Sequence, residues 1–549
     1  MKVLLVVPTF AYGDNPAKLL SLSDFPTGLA YIAAALAQAG HEVRGLNPNN
    51  ALAPTQPYYH LANKLSAALQ EFSPDLVGLG GLCTDFTFLK DAIELTRKFA
   101  PQTPIVLGGG IINNDWEFIF NLLKPDFGIV GEGEETVVEL AQALGKDYSQ
   151  IANLSYWLEG KPVFNPRRLS YGSVDGQLLP DYEPFGVKDL MEHYSMATRL
   201  LYRYPRTEPR PFPLVTARGC PFNCSFCIHR GNQVYRPRPI ASVMEEIRVN
   251  YERYSFNILI ILDELFAVNK ERMRAFCQGI LAGQKRHGWD FDWMFQTHAS
   301  ADLDLDTLRL AKEAGCFFFS YGIESASPKV LASMNKKTTP AQFIKAINLA
   351  REAGIAFGGN LIFGDIAENQ ETIYESLSFF AKYGQATFIF CGFLMPYPGN
   401  KLFETCQERG IIPDKAAYYA NINKGLFNMT SLPDSIWNQW VTFIALLERS
   451  WLWVRDCDAI SIEKENHSIN PVLAHFNADF YQIEAVCPYC GVSIAYREMI
   501  GRKRVDWPLF LGVGCPRCNQ RIKVNLTSFP GRTELGKERE LKEAVPVCR

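Results

Sequence analysis

Apolar positions in the first 145 residues form short runs that alternate with helical patterns. This alternation is typical of a doubly wound parallel sheet with helices on both faces. Three predicted strands end in glycines, at Gly80-Gly81, Gly108-Gly109-Gly110 and Gly131. Because ligands sit at the carboxyl ends of the strands in such sheets, these glycines predict a shelf that a ligand can approach closely. The predicted strands are 3–7, 41–45, 75–79, 105–107 and 127–130, and the predicted helices are 27–39, 86–99 and 135–144.

A proline-rich stretch separates this unit from a second alternating segment. Residues 150–215 carry few regular patterns, and Pro209, Pro211 and Pro213 favour a connector with some short strands. From 214 to 402 six predicted strands alternate with helices, which indicates a partial barrel, since a closed one has eight such units. The strands are predicted at 214–216, 258–262, 293–296, 317–321, 357–362 and 387–393.

The last 140 or so residues are aromatic and helical around 437–453 and then carry paired cysteines. At helical spacing such aromatics are more often core than a substrate lid. We therefore predict an α/β protein with a Rossmann-like domain over 1–148, a linker over 149–212, a (β/α)6 core over 213–410 and a C-terminal segment over 411–549.

Length and charge narrow the class of protein. The chain has 549 residues, enough for three or four domains of roughly 150 residues. Its net charge of −3 argues against nucleic acid or an anionic membrane as the main partner. No apolar run reaches the ~18 residues of a membrane span, and the apolar start is too short for a secretory leader. We expect a cytoplasmic protein.

Seven of the 14 cysteines fall in three tight groups, which indicates metal sites rather than disulfides. The first group, Cys220, Cys224 and Cys227, follows a predicted strand with C-x3-C-x2-C spacing. Three thiolates can hold three irons of a [4Fe–4S] cube and leave the fourth open for chemistry. The alternative is a zinc site with a remote ligand such as His229, although zinc ligands rarely have this spacing.

With Phe226 just before its third cysteine, this array resembles the signature of the radical S-adenosylmethionine superfamily. The resemblance implies that the three cysteines ligate the cluster, that S-adenosylmethionine chelates the open iron, and that Phe226 lies against the adenine. One electron from an external donor of the flavodoxin or ferredoxin type would then break the sulfonium bond and give a 5′-deoxyadenosyl radical.

Further residues match this superfamily in order along the chain. Asp263 and Glu264 resemble its second-strand acidic motif, which binds the methionyl ammonium; the alternative is a helix N-cap pair. Glu324, in Gly322-Ile323-Glu324-Ser325, resembles a fourth-strand motif that approaches S-adenosylmethionine. His298 stands where many relatives carry an arginine.

The N-terminal domain resembles the cobalamin-binding domain that precedes such enzymes. The matching segments are Pro26-Thr27-Gly28-Leu29-Ala30-Tyr31, Gly108-Gly109, Gly131-Glu132-Gly133-Glu134 and Leu179-Pro180-Asp181-Tyr182. The resemblance implies a corrin held near Thr84, Gly108, Gly109, Gly131, Glu132 and Gly133. A nucleotide- or flavin-binding domain is the alternative, but no G-x-G-x-x-G follows the first strand. A domain that has lost cobalamin also remains open.

Two C-x-x-C knuckles near the C-terminus complete the cysteine pattern. Cys487, Cys490, Cys515 and Cys518 have the number and spacing of a four-cysteine zinc ribbon, for which the competitor is an auxiliary iron–sulfur cluster. A closed site of this kind by default folds a segment too small for its own core.

Together the resemblances imply a cobalamin-dependent radical enzyme that transfers a methyl group from methylcobalamin to an unactivated carbon of a small molecule. The first alternative is a cyclase or oxidoreductase of the anaerobic magnesium-protoporphyrin ester cyclase type. A second, from a different class, is a cobalamin sensor or scaffold. The seven scattered cysteines receive no chemical role.

Overall fold

The computed structural model describes residues 1–9, 12, 25–49, 56–166, 178–193, 206, 210–228, 234–385, 387–422, 425–450, 454–465, 478–502 and 510–526. Pro209, His229, residues 451–453 of the predicted helical segment and Cys548, one of the seven scattered cysteines, lie outside these ranges.

The N-terminal unit is a seven-stranded sheet in the order β2-β1-β3-β4-β5-β6-β7, whose first five strands are parallel. Its strands are Lys2–Val6, Glu42–Leu46, Leu76–Gly80, Ile105–Gly108, Phe127–Ile129, Leu154–Leu158 and Lys161–Phe164. Its helices α1 to α5 are Thr27–Gln38, Pro57–Phe72, Phe86–Phe99, Gly110–Leu123 and Glu134–Ala143. The order 2-1-3-4-5 reverses between β1 and β3, which is where doubly wound sheets bind ligands.

The boundary predicted at residue 148 is wrong. Strands β6 and β7 form an antiparallel hairpin that continues the N-terminal sheet beyond β5. The unit therefore extends to about residue 164, and the segment read as a linker supplies two of its strands. A lone hairpin is marginally stable, and pairing with β5 provides the hydrophobic support that it needs.

The second unit is a six-stranded parallel sheet in the order β15-β14-β13-β12-β11-β8. Because its neighbours are consecutive, the sheet curls as a partial barrel, in agreement with the predicted fold class. Its strands are Pro211–Leu214, Ile258–Ile261, Asp292–Thr297, Cys316–Glu324, Ala356–Phe363 and Phe388–Phe393, with the short pair β9 and β10 at Ala217–Arg218 and Arg236–Pro237. Helix α6 is Val187–His193, and α7 to α12 are Ile240–Tyr254, Lys270–His287, Leu305–Glu313, Pro328–Ser333, Pro340–Ala353 and Gln370–Tyr383.

The first barrel strand lies three residues earlier than predicted. Pro211 and Pro213 belong to β8 and not to a connector. Their placement is possible because β8 is an edge strand that pairs only with β11 in this sheet, and an edge tolerates residues that lack an N–H donor.

The C-terminal unit contains three helices and a five-stranded sheet in the order β18-β17-β16-β20-β19. This sheet has a separate small core around Ile483, Tyr496 and Val513, whereas the first two units share two hydrophobic clusters. Among the described residues, no helix is long and apolar enough to cross a membrane. Helices α13 to α15 are Lys401–Glu408, Lys415–Asn421 and Asp434–Ser450; strands β16 to β20 are Asp456–Lys464, Ala478–Val486, Ser493–Arg502, Phe510–Gly514 and Arg521–Asn525.

Candidate active site

The three grouped cysteines lie on the loop that follows β9, at the carboxyl end of the barrel strands. We call this segment, residues 219–228, the cysteine loop. All three are partly exposed, and none is in a disulfide. The turn after α10 fixes the middle of the loop, since the Ser225 amide donates to Met334 O at 2.9 Å and Asn335 Nδ2 donates to Asn223 O at 2.7 Å. The loop therefore presents its thiols from a backbone that the barrel holds in place.

Two further segments hold the end of this loop. Asn400 Nδ2 donates to Phe226 O at 2.8 Å, and Asn114 Nδ2 donates to Ile228 O at 2.7 Å. Asn400 lies between β15 of the barrel and α13, whereas Asn114 belongs to α4 of the N-terminal unit. Phe226 is partly buried against the second hydrophobic cluster. The cysteine loop is thus bonded to both units.

The two acidic residues after β11 have different environments. Asp263 is buried and its carboxylate accepts from the Thr216 amide and hydroxyl, so that it ties β11 to the start of the cysteine loop. Glu264 is partly buried, and burial together with Asp263 raises its pKa to about 7. Its carboxylate also helps to raise the pKa of the Cys220 thiol, after burial of that thiol. Glu264 is therefore the acid that faces the cysteine loop.

Glu324 forms a buried ion pair at the end of β13. Its Oε1 accepts from Lys336 Nζ at 2.9 Å, and both side chains are about one-tenth exposed. Gly322 leaves the space for the pair, because a Cβ there would lie 2.2 Å from the Glu324 carboxylate. Lys336 in turn interacts with the thiols of Cys224 and Cys227. The pair places a cation beside the cysteine loop, which sequence reasoning did not anticipate.

His298 at the end of β12 stacks on Phe222 of the cysteine loop, with ring centroids 3.8 Å apart. Burial, and then the nearby Lys336, lower its pKa to about 4, so the imidazole is neutral near pH 7. Its Nδ1 accepts from the Ser300 amide at 3.3 Å, which leaves the proton on Nε2. Within the described residues, buried Nε2 has no hydrogen-bond partner.

The glycine shelf lies where β3, β4 and β5 end. Gly109 has φ of +86°, and a Cβ there would lie 2.7 Å from Gly81 O. The two loops are in backbone contact, since the Ile111 amide donates to Gly81 O at 3.0 Å. At the end of β5, the Gly131 amide donates to Asn113 Oδ1 at 2.7 Å. Thr84, in the short turn Cys83–Asp85 beside Gly81, is partly buried.

The shelf and the cysteine loop meet through one helix. α4 begins at Gly110, on the shelf, and reaches the cysteine loop through Asn114. Asp115 interrupts the helical geometry, with φ of −156°, and its carboxylate binds Lys415 Nζ at 2.6 Å. Tyr419 Oη also donates to this carboxylate, at 3.0 Å. The two candidate cofactor surfaces therefore face a common junction.

Four charged side chains form a second bridge, which we call the interdomain clamp: Arg218, Arg236, Glu132 and Glu134. Arg218 binds Glu132 at 3.1 Å and Glu134 at 2.6 Å, and Arg236 also binds Glu132. All four are about one-fifth exposed. The Glu132 carboxylate, which the sequence analysis gave to cobalamin, thus contacts the short strands β9 and β10 that follow the first barrel strand. Gly131 and Gly133, on either side of Glu132, lie at the shelf and offer only main-chain groups there.

The four C-terminal cysteines converge at the tips of two hairpins, β17–β18 and β19–β20. Their Sγ atoms all lie within 4.8 Å of one another, with Cys487 to Cys518 and Cys490 to Cys515 each at 3.7 Å. The spacing of the knuckles predicted this convergence.

Three contributors at the site were missed from the sequence: Lys336, Asn114 and Arg218. Arg218 carries the clearest signal, since it lies two residues before Cys220. Lys336 and Asn114 act across more than 100 residues of chain, at Cys224 and Ile228, and no spacing pattern reports such contacts.

Comparison with known proteins identifies both units. Residues 214–380 match the family model of the radical SAM superfamily, and residues 24–141 match that of the B12 binding domain. An uncharacterized methyltransferase of Pyrococcus horikoshii is 28% identical over 415 residues, covering 74% of this chain and 83% of its own length. The anaerobic magnesium-protoporphyrin IX monomethyl ester cyclase of Cereibacter sphaeroides is 25% identical over 442 residues, covering 76% of this chain and 66% of the cyclase.

A solved structure supports the fold. The radical S-adenosylmethionine methyltransferase TsrM of Kitasatospora setae, with cobalamin and a [4Fe–4S] cluster bound, superposes with a TM-score of 0.57 at 20% identity, over 74% of this chain and 75% of TsrM. The predicted cysteine loop lies in one matched unit and the glycine shelf in the other. The chain thus combines a domain that matches the B12 binding domain, over residues 24–141, with one that matches the radical SAM superfamily, over residues 214–380.

Proposed function

We propose that this enzyme transfers a methyl group to an unactivated carbon of a small molecule, using a [4Fe–4S] cluster, S-adenosylmethionine and cobalamin. One observation carries the proposal: the cysteine loop and the glycine shelf are bonded to each other through Asn114 and Ile228. Methyl transfer needs the radical source and the methyl source at one substrate carbon, and this junction supplies the proximity. The Pyrococcus horikoshii relative, an uncharacterized methyltransferase, supports methyl transfer.

The residues of the loop fit the cluster and S-adenosylmethionine. Three partly exposed thiols are the donor set of a cube with one open iron. Glu264 is suited to bind the methionyl ammonium group of S-adenosylmethionine, because a carboxylate can accept hydrogen bonds from an ammonium. We assign Asp263 to support of the loop, since Thr216 already occupies both its oxygens. Glu324 acts indirectly, by holding the Lys336 ammonium beside the cysteine loop.

The shelf fits a flat corrin. Gly81 and Gly109 pack backbone against backbone, and a Cβ on the neighbouring Gly108 would meet protein only at 4.0 Å, so the main chain is accessible there. We propose Thr84, Gly108, Gly109, Gly131 and Gly133 as the corrin contacts. Glu132 serves a different role, as part of the interdomain clamp.

When bound, these cofactors supply a carbon-based radical and a transferable methyl group. The chain itself has to position and shield. Asn114, Asn400 and Asn335 hold the loop backbone, the clamp fixes the separation of the two units, and Lys336 sets a positive charge beside the thiolates. Neutral His298 offers a buried Nε2–H donor beside Phe222, suited to an acceptor atom of S-adenosylmethionine. An external flavodoxin- or ferredoxin-type protein would deliver the electrons.

Label transfer tests the reaction. Protein reconstituted anaerobically with iron, sulfide and hydroxocobalamin, then reduced, is incubated with S-adenosylmethionine bearing a CD3 group. We expect 5′-deoxyadenosine and CD3 label in the corrin fraction by mass spectrometry. Unlabelled corrin alongside 5′-deoxyadenosine would argue against methyl transfer. The Cys220→Ala, Cys224→Ala, Cys227→Ala variant should form no 5′-deoxyadenosine, whereas Cys277→Ala, a buried thiol of α8, should leave cleavage intact.

The cyclase relative favours a second candidate, oxidative ring closure without methylation. Magnesium-protoporphyrin monomethyl ester is the probe for it. Its conversion to a cyclised, unlabelled product in the same incubation would establish the cyclase; an unchanged probe together with labelled corrin supports the methyltransferase.

We propose Zn²⁺ as a fourth cofactor, at the C-terminal cysteines. A tetrahedral ion with bonds of about 2.3 Å places its sulfurs about 3.8 Å apart. The two closest Sγ pairs lie at 3.7 Å, which fits one shared ion. In an iron–sulfur cube the four thiolates bind four different irons and would lie farther apart. Metal analysis of the purified protein should give one zinc per chain.

A further inference from the structure

The barrel sheet has an open edge at β15, where its strand order ends. An edge strand directs every second set of main-chain N–H and C=O groups away from the sheet. Here Thr387 O and Ile389 O accept from Arg521, at 3.5 and 3.2 Å, and the Cys391 amide donates to Glu448 at 2.9 Å. Two charged side chains therefore replace the missing strand.

Arg521 is well suited to this position. Its side chain is buried, with the guanidinium 5.0 Å from the Phe390 ring centroid, over the outer face of β15. It also interacts with Glu448, which reaches the same edge from α15. The planar guanidinium can bond two carbonyls and stack at once, which a lysine ammonium cannot do.

Arg521 is fixed in place by the second cysteine knuckle. It lies three residues after Cys518, and Asn519 between them has φ of +52° and donates its amide to Cys515 O at 2.7 Å. Asn519 Nδ2 also donates to Gly354 O at 2.5 Å, where α11 ends. From the first knuckle, Tyr489 Oη donates to Gln385 O at 3.4 Å. Both knuckles therefore contact the barrel beside the starts of β14 and β15.

We propose that the metal-ordered ribbon is the clasp that closes this open edge, a role that rests on the proposed zinc. The ribbon has its own small core and joins the barrel edge mainly through polar groups whose positions depend on the knuckle turns. Metal binding orders such turns, and its loss leaves them without their main constraint. Zinc occupancy therefore governs how firmly β15 is held.

The clasp lies at the opposite end of the barrel from the cysteine loop. β14 has eight residues and spans roughly 26 Å between the two ends. This position indicates a structural role. In such barrels the amino-terminal ends of the strands contribute to stability, whereas the carboxyl ends carry the active site. The chain after β15 nevertheless continues to Asn400, whose Nδ2 donates to Phe226 O of the cysteine loop.

Hydrogen exchange of the full-length protein tests the clasp. The variant Arg521→Gln removes the guanidinium contacts with Thr387 O and Ile389 O and leaves all four cysteines in place. Its matched control is Arg517→Gln, an exposed arginine of the same knuckle. A third protein, Cys515→Ser with Cys518→Ser, removes the metal. Exchange is followed by mass spectrometry in peptides covering 387–394 and, for comparison, 258–261 on the far side of the sheet.

We expect exchange over 387–394 to accelerate about tenfold or more in Arg521→Gln, because a hydrogen bond from a charged donor is lost. Zinc content should stay at one per chain. The cysteine variant should show the same acceleration, while Arg517→Gln and the 258–261 peptides should not change. Unchanged exchange over 387–394 in Arg521→Gln overturns the clasp even if zinc is present. Iron in place of zinc overturns the metal assignment and not the edge contacts.

Discussion

At the scale of single residues, the site depends on side chains whose charge or shape is fixed by burial. Glu324 and Lys336 form a buried ion pair that holds the Lys336 ammonium beside the cysteine loop, and His298 is kept neutral against Phe222. Glu368, in the turn between β14 and α12, is another buried acid: burial raises its pKa to about 8. One of its oxygens accepts from the Gly364 amide.

Glu368 predicts a pH dependence of stability. Its pKa is about 8 in the folded chain against an ordinary value near 4.5, so between these values the folded state holds a proton that the unfolded state has lost. Stability contributed by this proton is complete at low pH and falls as pH rises toward 8. As pH rises from 6 to 8.5, the free energy of unfolding of Glu368→Gln should increase by about 2 kcal/mol relative to that of the natural protein. Chemical unfolding at both values measures it.

The control for this prediction is Glu371→Gln, an exposed glutamate in the first turn of the next helix. It should follow the pH dependence of the natural protein. Parallel curves for the natural protein and Glu368→Gln would show that Glu368 is ionised throughout.

At the scale of elements, the glycine shelf is built by two strand ends in backbone contact. Gly109 is confined by its φ of +86° and by Gly81 O, whereas a Cβ on Gly108 would meet protein only at 4.0 Å. Neighbouring glycines thus have different reasons to lack a side chain. The fold requires glycine at position 109, whereas the open space beside Gly108 is available to a ligand.

This difference predicts two distinct outcomes. Gly109→Ala should lower stability of the protein without any cofactor, because the added methyl group clashes with backbone that cannot move aside. Gly108→Ala should keep its melting temperature and weaken hydroxocobalamin binding about tenfold, or about 1.4 kcal/mol. Thermal melting and corrin titration measure the two effects. Undiminished corrin binding by Gly108→Ala would remove Gly108 from the proposed contacts.

At the scale of the whole molecule, the segments by which the N-terminal unit resembles cobalamin domains converge on the barrel. Tyr31 lies under the Arg218 guanidinium at 4.7 Å, and Glu134 binds the same arginine. Tyr182 is buried against Phe212 of β8, with ring centroids 5.0 Å apart. Tyr31, Glu134 and Tyr182 of these segments therefore dock the units, and the shelf glycines stay the proposed corrin contacts.

The clamp makes this docking testable. Glu134→Gln leaves Arg218 and Arg236 to share the single carboxylate of Glu132, and the surplus positive charge is costly in a largely enclosed position. We expect faster hydrogen exchange over 131–138 and 214–219 in protein without cofactors, and a lower melting temperature. The paired charge exchange Glu134→Arg with Arg218→Glu should restore part of the protection. Glu135→Gln, an exposed neighbour, is the control. Equal exchange in Glu134→Gln and Glu135→Gln would refute the docking role.

The sequence predicted the strands of both parallel sheets to within a few residues, because buried parallel strands are continuous apolar runs. It missed α2 and α4, and it read β6 and β7 as linker. Strand β8 was placed late because two prolines imitate a connector, and only its edge position makes them acceptable.

What the sequence determined by itself is the set of grouped thiols, the two parallel sheets and the glycines at their strand ends, since each depends on spacing within a short segment. The tertiary structure alone decided which charges face the cysteine loop, that Glu132 holds the barrel, and that Arg521 closes its edge. These contacts join residues about 80 to 130 positions apart, such as Arg218 with Glu134 and Arg521 with Ile389. Their partners are selected by packing, and no local pattern records that choice.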